Sequence, residues 1–443
     1  MVPRRIPAPI PAPAGLEEKV PDQIAMTIRA FIRPGRSAEL MDLLADINRK
    51  GAANSCLPFG DLPGVHFARL FVLPEVTDLD GEPIPGSLVY MADVDGTADA
   101  HLIALVERAA PGVDAVFSHC AGYPGVPVPR SERYRWLRTR VVTGAIRYTH
   151  TVGRGVEQFR REAMLRDAIQ DFLDRPGSVS AGTTAVEACR RVRAFVRGRQ
   201  DLSWALRPAR GSSLGFRVRD AAHLVAVPVA AAVAAPALIP AGIAGVLRLR
   251  QLERRDTVDQ TPVPPAHMAA LEQHEDFAAQ NPFTAVGLVR PELTRRVALR
   301  TALTALGWSM RHIYARDNLS GVRTIHFARW LPIDGGRRLI FASNYDGSVE
   351  SYMDDFIDRL AWGLNAVFSN GTGYPPTRWL FGEGAHQERP FKLFLRRHQL
   401  PTQVWFSAYS GLPARNVDQT ARLRDGLTHP LTEQAAAAWL SLL

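Results

Sequence analysis

The chain has 443 residues, long enough for two or three domains with buried cores. Hydrophobic residues make up 46% and charged residues 22%, a globular balance that excludes a mostly disordered chain. The net charge of +9 rests on arginine, since Lys19, Lys50 and Lys392 are the only lysines, and three cysteines (Cys56, Cys120, Cys189) exclude a disulfide framework. No CxxC or Cys/His zinc spacing occurs, so no metal site is expected.

Residues 1–20 read as a Pro/Ala tail. Prolines interrupt every apolar pair there, whereas a secretory signal needs an unbroken apolar run. The spacing then predicts a strand over Ile24–Ile32 and a helix over Arg36–Arg49, with Leu40, Leu43, Leu44 and Ile47 on one face. Strands follow at Val65–Leu73 and Ser87–Ala92, then a helix at Ala98–Ala109 and a strand at Ala115–Ser118. A further helix and strand are expected near Arg133–His150.

This set of elements occurs twice. HFAR at 66–69 recurs at 326–329. Leu88–Thr97 recurs as Leu339–Ser348, and Ala115–Pro124 recurs as Ala366–Pro375 at the same offset of 251. Repeat 1 is placed at 21–153 and repeat 2 at 281–411. The second copy predicts strands at Thr284–Val289, Arg323–Leu331, Arg338–Ser343 and Ala366–Ser369. Its helices are Glu292–Tyr314 and Val349–Leu360, with a final helix and strand in Arg389–Ala408. A two-copy repeat of this length is a domain duplication and not a solenoid.

Between the copies lie an Arg-rich helical segment (154–220), an apolar segment (221–247) and a linker (248–280). Two helices are expected at Gly155–Asp174 and Thr184–Arg199. From 154 to 219 there are 14 arginines against 7 acidic residues. Residues 221–247 carry no formal charge and one histidine, His223. The run is long enough to span a bilayer. However, Pro228, Pro236 and Pro240 interrupt it, alanine inserts poorly, and both flanks are basic. A proline-bent membrane hairpin is therefore expected, contacting lipid through Leu224, Val225, Pro228, Pro236, Leu238, Ile239, Pro240 and Ile243. A buried apolar linker is the alternative. Residues 412–443 read as a C-terminal helical tail.

Asp95-Gly96-Thr97 and Asp346-Gly347-Ser348 have the chemistry of a strand-to-helix turn: glycine for positive φ, Thr or Ser for the N-cap. Strand alternation puts His66 and Ala68 on one face and Phe67 and Arg69 on the other. The copies differ at Asp93, His119 and Cys120 against Asn344, Asn370 and Gly371. Tyr123 and Tyr374 read as turn residues. His267, His274, Glu275 and Asp276 form a loose cluster that reads as a solvated linker. No helix-turn-helix or aromatic RNA platform accompanies the arginines, so no nucleic acid is expected.

The order β-α-β-β-α-β is the split βαβ, or ferredoxin-like, arrangement. Two such repeats in one chain resemble the dimeric α+β barrel superfamily as an intramolecular pseudo-dimer, giving an α+β fold with a helical and apolar insert. The runs Ile325–Trp330 (IHFARW), Ser343–Ser348 (SNYDGS), Asp355–Ile357 and Ser369–Pro375 resemble an uncharacterised bacterial family. The superfamily includes small-molecule monooxygenases, isomerases, chlorite dismutases and dye-decolorizing peroxidases. It implies a ligand site between the repeats, for which the candidates are His66, Arg69, Asp95, His119, His326, Arg329 and Asp346. It also implies haem as a candidate cofactor, through a GxxDG motif whose first glycine is here Ala92 or Ser343. Three functions are open. The first is a protein on the cytoplasmic face of an anionic membrane that binds a hydrophobic or lipid-derived small molecule. The second is a haem-dependent oxidoreductase, and the third a structural or interaction module.

Overall fold

A computed structural model describes residues 23–51, 54–180, 182–208, 214–314 and 319–443. The expected Pro/Ala tail at 1–20 lies outside the described residues. In chain order the first copy comprises β1 (Gln23–Phe31), α1 (Ser37–Lys50), β2 (Val65–Leu73), a small hairpin of β3 (Val76–Thr77) and β4 (Pro83–Ile84), then β5 (Ser87–Asp95). It continues with α2 (Ala98–Arg108), α3 (Ala110–Phe117), α4 (Arg130–Arg138) and β6 (Ile146–Thr149). Helices α5 (Val156–Leu173), α6 (Ala185–Gly198), α7 (Leu214–Glu253) and α8 (Pro265–Glu272) follow. The second copy comprises β7 (Gln280–Leu288), α9 (Leu293–His312), β8 (Ile325–Ile333), β9 (Arg338–Asp346), α10 (Val349–Asp355) and α11 (Ala361–Phe368). It ends with the hairpin β10 (Thr377–Arg378) and β11 (Gly382–Glu383), α12 (Glu388–His398) and β12 (Val404–Ser407). Helices α13 (Ala414–Gly426) and α14 (Glu433–Leu440) close the chain.

The fold is mixed α+β with antiparallel sheets. One sheet has the order β1-β5-β2-β12 and the other β6-β8-β9-β7. The fourth strand of each copy is thus exchanged: β12 pairs with β2 of the first copy, and β6 pairs with β8 of the second. The strands expected at Ala115–Ser118 and Ala366–Ser369 are instead the ends of α3 and α11. Their Ala, Val and Phe residues carry both periodicities over so short a run, and packing against the sheet decides for helix.

Each sheet has helices on one face. In the first copy Leu40 and Leu44 of α1, Leu102 and Leu105 of α2 and Val113 and Val116 of α3 pack on Met26, Ile28, Leu70 and Tyr90. In the second, Leu299 and Leu303 of α9 and Leu364 and Val367 of α11 pack on Phe283, Trp330 and Phe341. The opposite faces meet each other. Phe71, Leu73, Val89 and Met91 of one sheet form a single cluster with Leu331, Ile333, Ile340 and Ala342 of the other. At one end of this contact Arg29 bonds Asp334 at 2.7 Å and Arg337 pairs with Asp78.

The helix starts follow local chemistry. Thr97 Oγ1 accepts from the Ala100 N–H at 3.2 Å, and Ser348 Oγ from the Ser351 N–H at 3.3 Å. Gly96 and Gly347 supply the positive φ before each cap, 95° and 88°.

The first helix-side core contains one costly polar pair. The Tyr90 hydroxyl lies 2.8 Å from His101 Nε2, while His101 Nδ1 is buried without a partner. Burial lowers the His101 pKa from 6.5 to about 4. Between those values the unfolded chain binds the proton and the folded chain does not, so stability falls as pH drops. This group is expected to remove roughly 2 kcal/mol between pH 7 and 4.5. Urea unfolding of His101→Phe should show a correspondingly shallower loss on acidification.

The contacts divide the chain into two compact units, one holding Gly153–Leu214 and Tyr409–Leu443, the other Asp22–Val152 and Gly215–Ala408. The first unit is helical. Leu165, Ile169, Val192, Val196, Leu423 and Trp439 form its core. The Glu433 carboxylate accepts from the Ala185 and Val186 N–H groups and so caps α6, while Arg424 and Glu162 form a buried pair at 3.4 Å. The Arg-rich segment and the C-terminal tail therefore share one core.

Helix α7 departs from expectation. Where a proline-bent hairpin is expected, one helix of 40 residues runs through Pro228, Pro236 and Pro240. Their spacings of eight and four keep the prolines within about 120° of one another around the axis. The missing N–H groups thus fall on one side, and the Ala/Leu/Val neighbours carry the helix past them.

Candidate functional site

The retained residues of the two HFAR motifs meet between the sheets. His66 Nε2 lies 2.9 Å from Asp95 Oδ1, and His326 Nε2 lies 2.7 Å from Asp346 Oδ1. Gln23 and Gln280 approach the same two imidazoles at 3.5 and 3.4 Å. The rings interlock across the copies: His66 sits 5.2 Å from Phe327, Phe67 lies 5.3 Å from His326, and the two phenyl rings are 5.7 Å apart. Trp405 of the exchanged strand β12 stacks on Phe67 at 5.4 Å.

This overturns the simple alternation. The pairing register slips between Val65 and Phe67 and again between Ile325 and Phe327. A β-bulge at each histidine re-aims it, so His66, Phe67 and Arg69 all face the opposing sheet while Ala68 alone joins the helix-side core. A bulge depends on the partner strand, and nothing in HFAR by itself announces it.

The arginines also cross. Arg69 donates to the Phe283 and Ser343 carbonyls and to Thr284 Oγ1, each at 2.8 Å, and to Asn344 Oδ1. Arg329 donates to the Met26 carbonyl at 2.8 Å, to the Ala92 carbonyl and Thr27 Oγ1, and forms an ion pair with Asp93. Asn344 Nδ2 donates to Asp93 Oδ2 at 3.0 Å and closes the array. Burial, with the Arg329 guanidinium nearby, pushes the Arg69 pKa down to about 9. The asymmetry of Asp93 against Asn344 has a physical reason. The Asn344 amide accepts from Arg69 through Oδ1 and donates to Asp93 through Nδ2, and an ionised carboxylate could not make the second bond.

Six of the seven expected ligand residues form two kinds of bond here: His66 to Asp95 and His326 to Asp346 within a copy, and Arg69 and Arg329 each to the other copy. His119 does not join them. His119 Nδ1 sits 3.0 Å from the Ala115 carbonyl, and Asn370 Nδ2 donates to the Ala366 carbonyl at 2.9 Å. Both therefore cap a helix end, one in each copy. Burial drives the Cys120 thiol up to about 12, which leaves it protonated and inert.

A haem does not fit this centre. The rings of His66, Phe67, His326, Phe327 and Trp405 stand 5.2 to 5.7 Å apart between the sheets, where a macrocycle would have to displace them. Among the described residues no three His, Cys, Asp or Glu side chains are grouped to hold a metal ion.

Other motifs resolve into fold. Tyr123 bonds Asp114, which also takes a bidentate pair from Arg133, and Tyr374 bonds Asn365 Oδ1 at 2.7 Å. The tyrosines thus pin a loop to a helix nine residues upstream. The His267–Asp276 cluster is not a solvated linker. Glu275 is buried against Arg396 and Gln399, and Asp276 accepts from the Val349 N–H at the start of α10.

The second candidate surface is α7. Arg217–Pro236 is long and apolar enough to cross a bilayer, with mean hydropathy 1.5, and no part of that window is buried. Leu224, Val225, Ile239 and Ile243 are exposed, as are Val229, Val233, Val246 and Leu247, and Val233 reaches 77%. Pro228, Pro236 and Pro240 are exposed too. The Leu238 side chain lies outside the described residues. Both ends of the helix are tied down. At one end Asp220 pairs with Arg311 at 2.6 Å and His223 Nδ1 lies 2.8 Å from His312 Nε2. At the other, Leu249 and Leu252 are buried and Glu253 accepts four hydrogen bonds.

A cavity of about 30 Å³ lies under the helices of the second copy, lined by Phe341, Val367 and Phe394, and has room for little more than a water. An open groove of about 570 Å³ runs between α7 and α9, lined by Val227, Leu303, Trp308, Arg300 and Arg311. No protein-family model, curated protein or solved structure matches this chain.

Proposed function

We propose that this chain is a membrane-surface module. A pair of α+β repeats, arranged in the manner of a dimeric α+β barrel, rests on the cytoplasmic face of an anionic bilayer through α7. The observation that carries this reading is the uncharged run 221–247, exposed along most of its length and bracketed by Arg217, Arg219, Arg248, Arg254 and Arg255. Each large apolar side chain moved out of water is worth about 1.5–3 kcal/mol when fully buried. Basic residues at both ends suit anionic headgroups.

The attachment is in the plane of the membrane. Asp220 and Glu253 are both bound to the same unit, and the helix between them covers about 50 Å. A helix held at both ends by one folded body cannot also thread through the bilayer. Its arginines lie at both ends, on the same side of the membrane. We infer no ligand site between the sheets, because rings and cross-sheet bonds fill that interior. The residues kept in both copies are spent on holding the copies together, which leaves a scaffold and not a reaction chamber.

Vesicle flotation tests this reading. The full chain is expected to float with phosphatidylglycerol-containing vesicles, to float poorly with phosphatidylcholine alone, and to be released by salt. The triple variant Val229→Glu, Val233→Glu, Ile243→Glu should stay behind with an unchanged melting temperature, since all three side chains are exposed. Wild-type protein that ignores both kinds of vesicle would remove the proposal.

A further inference from the structure

The hairpin β10–β11 ends in Trp379-Leu380-Phe381. Trp379 and Leu380 both sit in the left-handed region, with φ of 56° and 66°. Glycine and asparagine are ordinary there, and a tryptophan is not. Side chains this large persist in such a loop only when the surroundings hold it. The holding group is Glu253, the last residue of α7. Its buried carboxylate accepts from the Trp379 N–H at 3.0 Å, the Leu380 N–H at 2.7 Å and Thr377 Oγ1 at 3.0 Å. Asn365 Nδ2 donates to the Phe381 carbonyl at 2.7 Å from the other side.

A rigid loop so held presents its aromatics outward: Trp379 is 48% exposed and Phe381 54%. Arginines accompany it. The Arg250 guanidinium lies 5.7 Å from the Trp379 ring, and Arg248, Arg254 and Arg378 are exposed nearby in sequence on the two elements that Glu253 joins. Tryptophan and phenylalanine with arginines is the composition of a membrane–water boundary, where the ring sits at headgroup depth and the guanidinium meets phosphate.

We propose that Trp379 and Phe381 form a second, interfacial anchor that enters the headgroup–acyl boundary of an anionic bilayer beside the C-terminal end of α7. The inference rests on the membrane-surface reading and adds to it. Glu253 is a positioning residue, because it fixes the hairpin on the helix so that both meet the same surface.

The test uses the full chain and phosphatidylglycerol-containing vesicles whose acyl chains carry bromine. Wild-type fluorescence is expected to be quenched on binding, and Trp379→Phe should lose most of that quenching while still floating. The double variant Trp379→Ser, Phe381→Ser should bind about tenfold more weakly, and Leu79→Ser, an exposed leucine in the β3–β4 turn, should bind as wild type. Quenching that survives Trp379→Phe would overturn the anchor, and so would unchanged binding of the double variant. Wild-type protein that binds no vesicles would instead overturn the membrane reading beneath it.

Discussion

Replacing Arg329 by methionine is expected to cost the fold about 3–5 kcal/mol, the range for breaking a buried ion pair from one side. Methionine matches the volume of the stem but leaves Asp93 as a buried charge whose other side-chain partner, among the described residues, is Asn344. It also strips a donor from the Met26 and Ala92 carbonyls, so two neighbouring strands of the first-copy sheet, β1 and β5, lose polar satisfaction at once. The pseudo-symmetric Arg69→Met should cost less, about 1–3 kcal/mol, because the groups it abandons are neutral: two carbonyls, Thr284 and Asn344. Adding Asp93→Leu to Arg329→Met should recover part of the loss, since the Asp93 carboxylate is then no longer buried without its ion-pair partner. Urea unfolding of the four proteins checks the ranking. Equal losses for the two arginines would show that the Asp93 charge is not what the centre depends on.

The second large effect concerns two glycines related by the repeat. Gly112 in α3 and Gly363 in α11 are separated by the common offset of 251. A Cβ on Gly112 would lie 1.9 Å from the Cys56 carbonyl oxygen and 2.8 Å from Leu57 Cδ2. The obstruction is backbone and cannot turn aside, so Gly112→Ala is expected to cost more than about 3 kcal/mol as α3 is pushed off its neighbours. A Cβ on Gly363 meets nothing within 4 Å. Gly363→Ala is expected to leave stability unchanged or raise it by up to about 1 kcal/mol through helix propensity. Thermal melts of the two variants should therefore move in different directions or differ widely in size. A mild Gly112→Ala would mean that the loop at Cys56 yields easily.

Local chemistry is legible in the order of the residues alone. The strands at 65–73 and 325–333, the helices α1, α2 and α9, and the caps at Thr97 and Ser348 all follow from periodicity and turn residues, which neighbours a few positions away decide. The constant offset between copies reveals the duplication, and the charge-free run 221–247 marks α7. Other features answer to distant partners. Ala115–Ser118 becomes helix because a sheet face is there to receive it. His66 turns toward Phe327 because its strand bulges against β5, and strand alternation alone points it the other way. The exchange of β6 and β12 and the crossing of Arg69 and Arg329 join residues more than 170 positions apart. The grip of Glu253 on the Trp379 loop spans 126 positions. Periodicity and capping are set by the chain's own near neighbours and so are written in its order. Which polar group meets which across a packed interior depends on the register and approach of whole sheets, and that is decided only when the two copies close on each other.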